Sequence, residues 1–202
     1  MPDKATIAAY DAFAEEYDES VIDFWNNFPK DFIDAFTKET PGKRVLDLGS
    51  GSGRDACLLR DRGLEIICAD GSKSMIKLTA ELGFESHLCD FLNLPFENDS
   101  FDGVWAYTSL IHIPRKEAAV VLRHVRALLK PDGTFVFGAI QGESNAEIVT
   151  HNTMPGAERY FRFYQPDELE TLVTSCGFTL ITQSTYTPHR KTYIQQLYQR
   201  TK

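Results

Sequence analysis

The chain has 202 residues, 43% hydrophobic and 25% charged, enough for one well-buried core and outside the compositional ranges of disordered or membrane-spanning proteins. No apolar run approaches the ~18 residues of a membrane span, and Met1 to Tyr10 lacks the basic flank and apolar stretch of a secretory leader, so a cytoplasmic location is expected. The net charge of −8 makes the average surface repel phosphate backbones and argues against sequence-independent nucleic-acid binding.

Ile7 to Tyr17 places Tyr10, Phe13, Ala14 and Tyr17 on one helical face, as a capping helix would. A second amphipathic stretch carries Phe28, Phe32, Ile33 and Phe36, and Pro41-Gly42 then supplies a turn. From there strands and helices alternate. Val45 to Leu48 reads as a strand, Asp55 to Arg62 as a helix, Glu65 to Ala69 as a strand, Ser72 to Leu82 as a helix and Glu85 to Cys89 as a strand. Phe101 to Tyr107 is a fourth strand, Lys116 to Leu129 a long helix, and Thr134 to Ile140 a fifth strand. Such alternation implies a parallel sheet covered on both faces, because each crossover helix must pack back onto the sheet. After a helix from Pro166 to Cys176, Phe178 to Tyr186 and Thr192 to Gln199 are strand-like around a Pro188-His189 turn and predict a terminal hairpin. The chain is read as one domain, with a helical cap over 1–40, a core over 41–140, and an insertion plus hairpin over 141–202. Cys57, Cys68, Cys89 and Cys176 are scattered through apolar patterns without a Cys-x-x-Cys pair, and read as reduced core residues; no metal is expected.

The sharpest signal is VLDLGSGSGRD, residues 45–55, in which Asp47 at a strand end precedes Gly49, Gly51 and Gly53 on the turn into a helix. Glycines there allow close approach of a ligand at the carboxyl edge of the sheet. Gly51 to Ala56 also fits the looser dinucleotide fingerprint, so the loop alone does not name its ligand. Asp47 favours an ammonium or sulfonium over a pyrophosphate. Asp70, followed by Gly71, closes the second strand where a carboxylate can accept from ribose hydroxyls. The third strand ends in Cys89-Asp90-Phe91, which offers an acceptor for an exocyclic amine beside an aromatic ring, both suited to adenine.

On these residues the chain resembles the class I S-adenosylmethionine-dependent methyltransferases, in particular their small-molecule, ubiquinone-biosynthesis-like "type 11" branch. The resemblance implies a Rossmann-like, doubly wound seven-stranded α/β sheet of order 3-2-1-4-5-7-6 with strand seven antiparallel. It also implies that S-adenosylmethionine is the cofactor and S-adenosylhomocysteine the product. The segment of Asp47, Gly49, Ser50 and Gly51 would hold the methionine end, Asp70 and Gly71 the ribose, and Met75, Asp90 and Phe91 the adenine. Tyr107, at the end of the fourth strand, matches a position whose backbone carbonyl meets the cofactor's ammonium. LKPDGTFVF, residues 129–137, looks like the family's turn into strand five.

Several residues keep two readings. Met75 can equally fill core, and the acids Asp47, Asp70 and Asp90 can serve as turn residues. Tyr10 and Tyr17 either close over the site from the first helix or pack on the sheet edge. His112 follows the fourth strand on the acceptor side, where it can act as a base or simply donate to a backbone carbonyl. The long segment 141–165 is expected to overhang the acceptor side as a lid or inserted helix, with Arg159, Arg162 and Tyr164 as candidate acceptor contacts and His151 in the same stretch. The function expected is methyl transfer to a small organic acceptor by a monomer or homodimer. The competing readings are a nicotinamide-dependent oxidoreductase, NAD(P) occupying the glycine loop, and a non-catalytic module that senses S-adenosylmethionine.

Overall fold

The computed structural model describes residues 4–143, 146–151 and 154–201, except the side chains of 146–151. Strands β1 (Arg44–Leu48), β2 (Glu65–Asp70), β3 (Glu85–Leu88), β4 (Phe101–Tyr107) and β5 (Leu129–Ile140) lie parallel in the order 3-2-1-4-5. Helices α5 (Arg54–Arg60), α6 (Lys73–Glu81) and α7 (Arg115–Leu128) follow β1, β2 and β4. After α8 (Pro166–Thr174), β8 (Phe178–Tyr186) and β9 (Tyr193–Arg200) form the expected hairpin. β9 inserts between β5 and β8, antiparallel to both. Counted over the seven strands of this sheet, the order is 3-2-1-4-5-7-6 with the last strand antiparallel, as the family resemblance implied.

Strand side chains alternate between two cores, which is what a sheet covered on both faces requires. Leu46, Leu48, Val104, Ala106, Phe135 and Phe137 enter one core with Val121, Leu122 and Val125 of α7. Val45, Trp105, Tyr107 and Val136 enter the other, with Leu59 of α5 and with Phe32, Ile33 and Phe36 of α4 (Lys30–Glu39). Asp47 shares the parity of Val45, so its side chain is directed to the α5 face and is fully buried there.

The first helix differs from the sequence reading. A single helix over 7–17 was expected; α1 (Lys4–Ala12) and α2 (Ala14–Ser20) are instead separate, because Phe13 leaves the helical region with φ −126° and ψ 33°. A short α3 (Ile22–Asn26) follows, which the sequence pattern did not signal. The inserted helix considered for the 141–165 segment is also corrected. That region holds β6 (Ala146–His151) and β7 (Met154–Arg162), an antiparallel pair outside the main sheet. The side chain of His151 lies outside the described residues. Among the described residues, no helix is long and apolar enough to cross a membrane.

Candidate active site

The carboxyl edges of the central strands meet the glycine loop at a narrow cavity of about 60 Å³, lined by Gly49, Gly51, Asp70, Gly71, Met75 and Phe91, among others. The loop is bent by left-handed glycines, with φ of 80° at Gly49, 49° at Gly51 and 82° at Gly53. A Cβ added at Gly51 would meet only Tyr17 Cε1, at 3.8 Å, so that residue's open side belongs to whatever occupies the cavity. Most amides of the turn face inward. Gly49 N and Ser50 N donate to Ala69 O at 2.7 and 3.2 Å, Gly51 N donates to Asp70 Oδ2 at 3.0 Å, and Gly53 N donates to Ser50 O at 2.9 Å. A loop whose N–H groups are engaged by β2 and by a carboxylate is a poor cradle for pyrophosphate.

Asp70 also accepts from Ser72 N at 2.8 Å, so one carboxylate fixes the glycine turn and the start of α6 while facing the cavity. Burial pushes its pKa up, against those backbone N–H bonds. Met75 and Phe91 are buried and supply the apolar lining. Asp90 spends one oxygen on Leu92 N at 3.0 Å, capping the turn after β3, and is not among the cavity-lining residues. Tyr107 lines the cavity, while its hydroxyl accepts from Gln195 Nε2 at 3.1 Å in the opposite core.

Asp47 sits behind the cradle. Its two carboxyl oxygens and Ser50 Oγ are buried without hydrogen-bond partners. Burial, then the charges of Asp55 and Asp70, hold the Asp47 pKa well above the ordinary carboxylate range. Asp55, on α5, accepts from Trp105 Nε1 at 3.1 Å, and burial raises its pKa to about 7. Folded Asp55 therefore keeps a proton between ~pH 4 and 7 that the unfolded chain has released, so stability falls as pH rises through that window. His112, whose pKa burial lowers to about 4, contributes the opposite slope, because the unfolded chain binds its proton first. Comparing Asp55→Asn with the parent cancels the His112 contribution. Urea unfolding at pH 5, 6 and 7 should show the parent losing stability more steeply than the variant, by up to ~1.4 kcal/mol per pH unit. Parallel profiles would contradict this assignment.

A second cavity, of about 490 Å³, shares Tyr10, Tyr17, Thr108 and His112 with the first. Those four residues are the partition between the two spaces. Arg159 Nη1 donates to Tyr10 Oη at 3.0 Å, Tyr10 Oη lies 3.0 Å from His112 Nε2, and His112 Nδ1 lies 2.6 Å from Tyr160 O. The carbonyl fixes the proton on Nδ1, so Nε2 accepts from the tyrosine hydroxyl and the ring is neutral. His112 donates to a backbone carbonyl, one of the two readings made of it, and also borders the second cavity. Tyr10 and Tyr17 meet edge-on at 5.1 Å.

The alternation of β7 separates the remaining candidates. Arg159 and Phe161 face the second cavity. Arg162 pairs with Glu168 at 3.1 Å, and Tyr164 is fully buried against Phe137; neither is among the residues lining either cavity. Sequence reasoning missed Ser109, which donates to Leu48 O at 2.5 Å under the glycine loop, and it missed the clamps on α1. Ser72 Oγ and Ser74 N both donate to Asp11 Oδ1, and Tyr160 N donates to Thr6 Oγ1. The run of strand-favouring aromatics Tyr160, Phe161, Phe163 and Tyr164 was a usable strand signal.

The doubly wound sheet, its glycine turn and the acid closing β2 define a Rossmann-like class whose ligands bind at the carboxyl edges of the strands, where the two cavities lie. Residues 46–137 match the family described as "Methyltransferase domain". The chain is 30% identical over 169 residues to a ubiquinone biosynthesis O-methyltransferase of Chromobacterium violaceum, covering 76% of this chain and 72% of that protein. It is 32% identical over 122 residues to the methyltransferase GfsG of Streptomyces halstedii, covering 56% of this chain and 40% of that larger protein. In fold it resembles the solved DhpI–SAH complex, with a TM-score of 0.80, 21% identity, and coverage of 98% and 96% of the two chains. The chain belongs to the class I S-adenosylmethionine-dependent methyltransferase family, within its small-molecule branch.

Proposed function

We propose that this protein transfers a methyl group from S-adenosylmethionine to a nucleophilic atom of a small organic acceptor held in the 490 Å³ cavity. The observation that carries the reading is the partition: Tyr10, Tyr17, Thr108 and His112 border both a nucleoside-type cleft and an acceptor-sized space. The donor set fits the cofactor. Asp70 would hold the ribose, Met75 and Phe91 the adenine, and the turn from Gly49 to Gly51, backed by Asp47 and Ser50, the amino-acid end. The open side of Gly51 is what the ligand would complete. When bound, the cofactor supplies a methyl group already activated on a sulfonium.

The protein's own task is then positioning and exclusion of water. The α1 wall of the cleft carries Thr6, Ile7 and Tyr10, so closure of that helix over the bound cofactor would exclude water. Tyr10, held between Arg159 Nη1 and His112 Nε2, would orient the nucleophilic atom of the acceptor at the partition. The engaged amides of the glycine loop weigh against the nicotinamide reading. The acceptor is taken as a metabolite of the cytoplasm and not a nucleic acid, which the net charge of −8 disfavours.

Incubating the protein with methyl-labelled cofactor and a metabolite extract tests the proposal. Label is expected in a small-molecule product, with S-adenosylhomocysteine accumulating in step. Binding of nicotinamide dinucleotide without binding of the methyl donor would overturn it, and tight donor binding with no labelled product from any extract would reduce the protein to a sensing module.

A further inference from the structure

The acceptor cavity carries positive charge that forms no ion pair with a carboxylate among the described residues. Arg159 is 4% exposed, faces the cavity, and has an Nε without a hydrogen-bond partner. Among the described residues it makes no ion pair with a carboxylate; its one side-chain hydrogen bond runs to Tyr10 Oη. Its guanidinium lies 5.2 Å from the Tyr10 ring and 4.9 Å from the Phe161 ring, and Lys191 Nζ lies 5.9 Å from that same Phe161 ring. Two cations therefore converge on one aromatic side chain, with Arg190 also lining the cavity and Asp23 the one carboxylate among the described lining residues. Burial and the charge of Arg159 both lower the pKa of Lys191, as expected for like charges held together without an anion.

A buried, uncompensated guanidinium is costly to keep, and Arg162, one strand face away, shows the ordinary solution by pairing with Glu168. With rings packed against the guanidinium, its N–H edge is the part left to meet a ligand, an arrangement matched to the planar fork of a carboxylate. The wall also carries the aromatic side chains of Phe24, Trp25 and Tyr193, beside the polar Ser20, Thr108 and His189. We infer that the methyl acceptor is an organic acid with a flat unsaturated body, its carboxylate received by the edge of Arg159 and its body lying along the aromatic wall. This rests on the reading of the cavity as the acceptor site.

Paired compounds test it: hydroxybenzoates and hydroxycinnamates against their neutral amides, titrated by calorimetry into the protein with and without S-adenosylhomocysteine. The acids are expected to bind at least ~10-fold more tightly than the amides. Arg159→Leu should erase that preference by weakening the acids while leaving amide affinity within about two-fold, and Arg159→Lys should restore part of it. A structural role alone would weaken both members of each pair together. Equal affinity of acids and amides in the parent, an equal loss in Arg159→Leu, or no binding of any acid at millimolar concentration would each overturn the inference. Failure of S-adenosylhomocysteine to bind would instead strike the methyltransferase reading, since the comparison of acids with amides is also made in its absence.

Discussion

Asp70→Ala should lower affinity for S-adenosylhomocysteine by about 100-fold, because two functions end with one carboxylate. Hydrogen bonds from ribose hydroxyls to a charged acceptor are worth ~1.5–3 kcal/mol each, and at least one is lost outright. The same change frees Gly51 N and Ser72 N, which Asp70 now holds at 3.0 and 2.8 Å, and so loosens the glycine turn before any ligand arrives. Burial already raises the Asp70 pKa, so its ionised form is maintained by those N–H groups and would be favoured further by a cationic ligand. Asp70→Asn retains an acceptor oxygen and is expected to fall between the parent and the alanine variant. Calorimetric titration decides the matter: an affinity within three-fold of the parent in a folded Asp70→Ala protein would remove Asp70 from the cofactor site.

Gly49→Ala should cost about 3 kcal/mol of stability, the sum of two separable penalties. The backbone there has φ 80°, a region L side chains rarely adopt, and the new Cβ would lie 2.1 Å from Ser109 Cβ and 2.8 Å from its Oγ. Ser109 cannot simply turn aside, because its hydroxyl donates to Leu48 O beneath the turn. Gly63 supplies the reference: its φ is 84° and nothing lies within 4 Å of the place an added methyl would take, so Gly63→Ala should cost only the conformational part, about 1 kcal/mol. Adding Ser109→Gly to Gly49→Ala should recover part of the difference. Urea unfolding of the four proteins checks this, and a Gly49→Ala loss no larger than that of Gly63→Ala would show that the loop has room the geometry denies.

Where local pattern and tertiary demand coincide, the sequence was a sufficient guide. The central parallel strands carry apolar runs such as Ile66 to Ala69 and Val104 to Tyr107, and β4 falls on the expected residues 101–107. The glycine turn and the acid after β2 were legible because their chemistry is local: a left-handed bend and a carboxylate two residues from the amide it caps. What was not legible depends on partners far away in the chain. Asp47 was assigned to the ligand from its place at a strand end, and strand parity turns its side chain to the α5 face beside Asp55. Arg159 and Arg162 looked equivalent until the period of β7 sent one to the cavity and the other to Glu168. The break at Phe13 and the clamps from Asp11 to Ser72 and Ser74 answer to the docking of α1 across the cleft, a demand that helical periodicity does not register.

A crystal structure grown with S-adenosylhomocysteine bears most directly on all of this. The ribose hydroxyls should lie within hydrogen-bonding distance of Asp70, the adenine between Met75 and Phe91, and the thioether sulfur should be directed at the partition of Tyr10, Thr108 and His112. The ligand bound elsewhere, or bound with Asp70 turned away and the partition remote from the sulfur, would contradict the account.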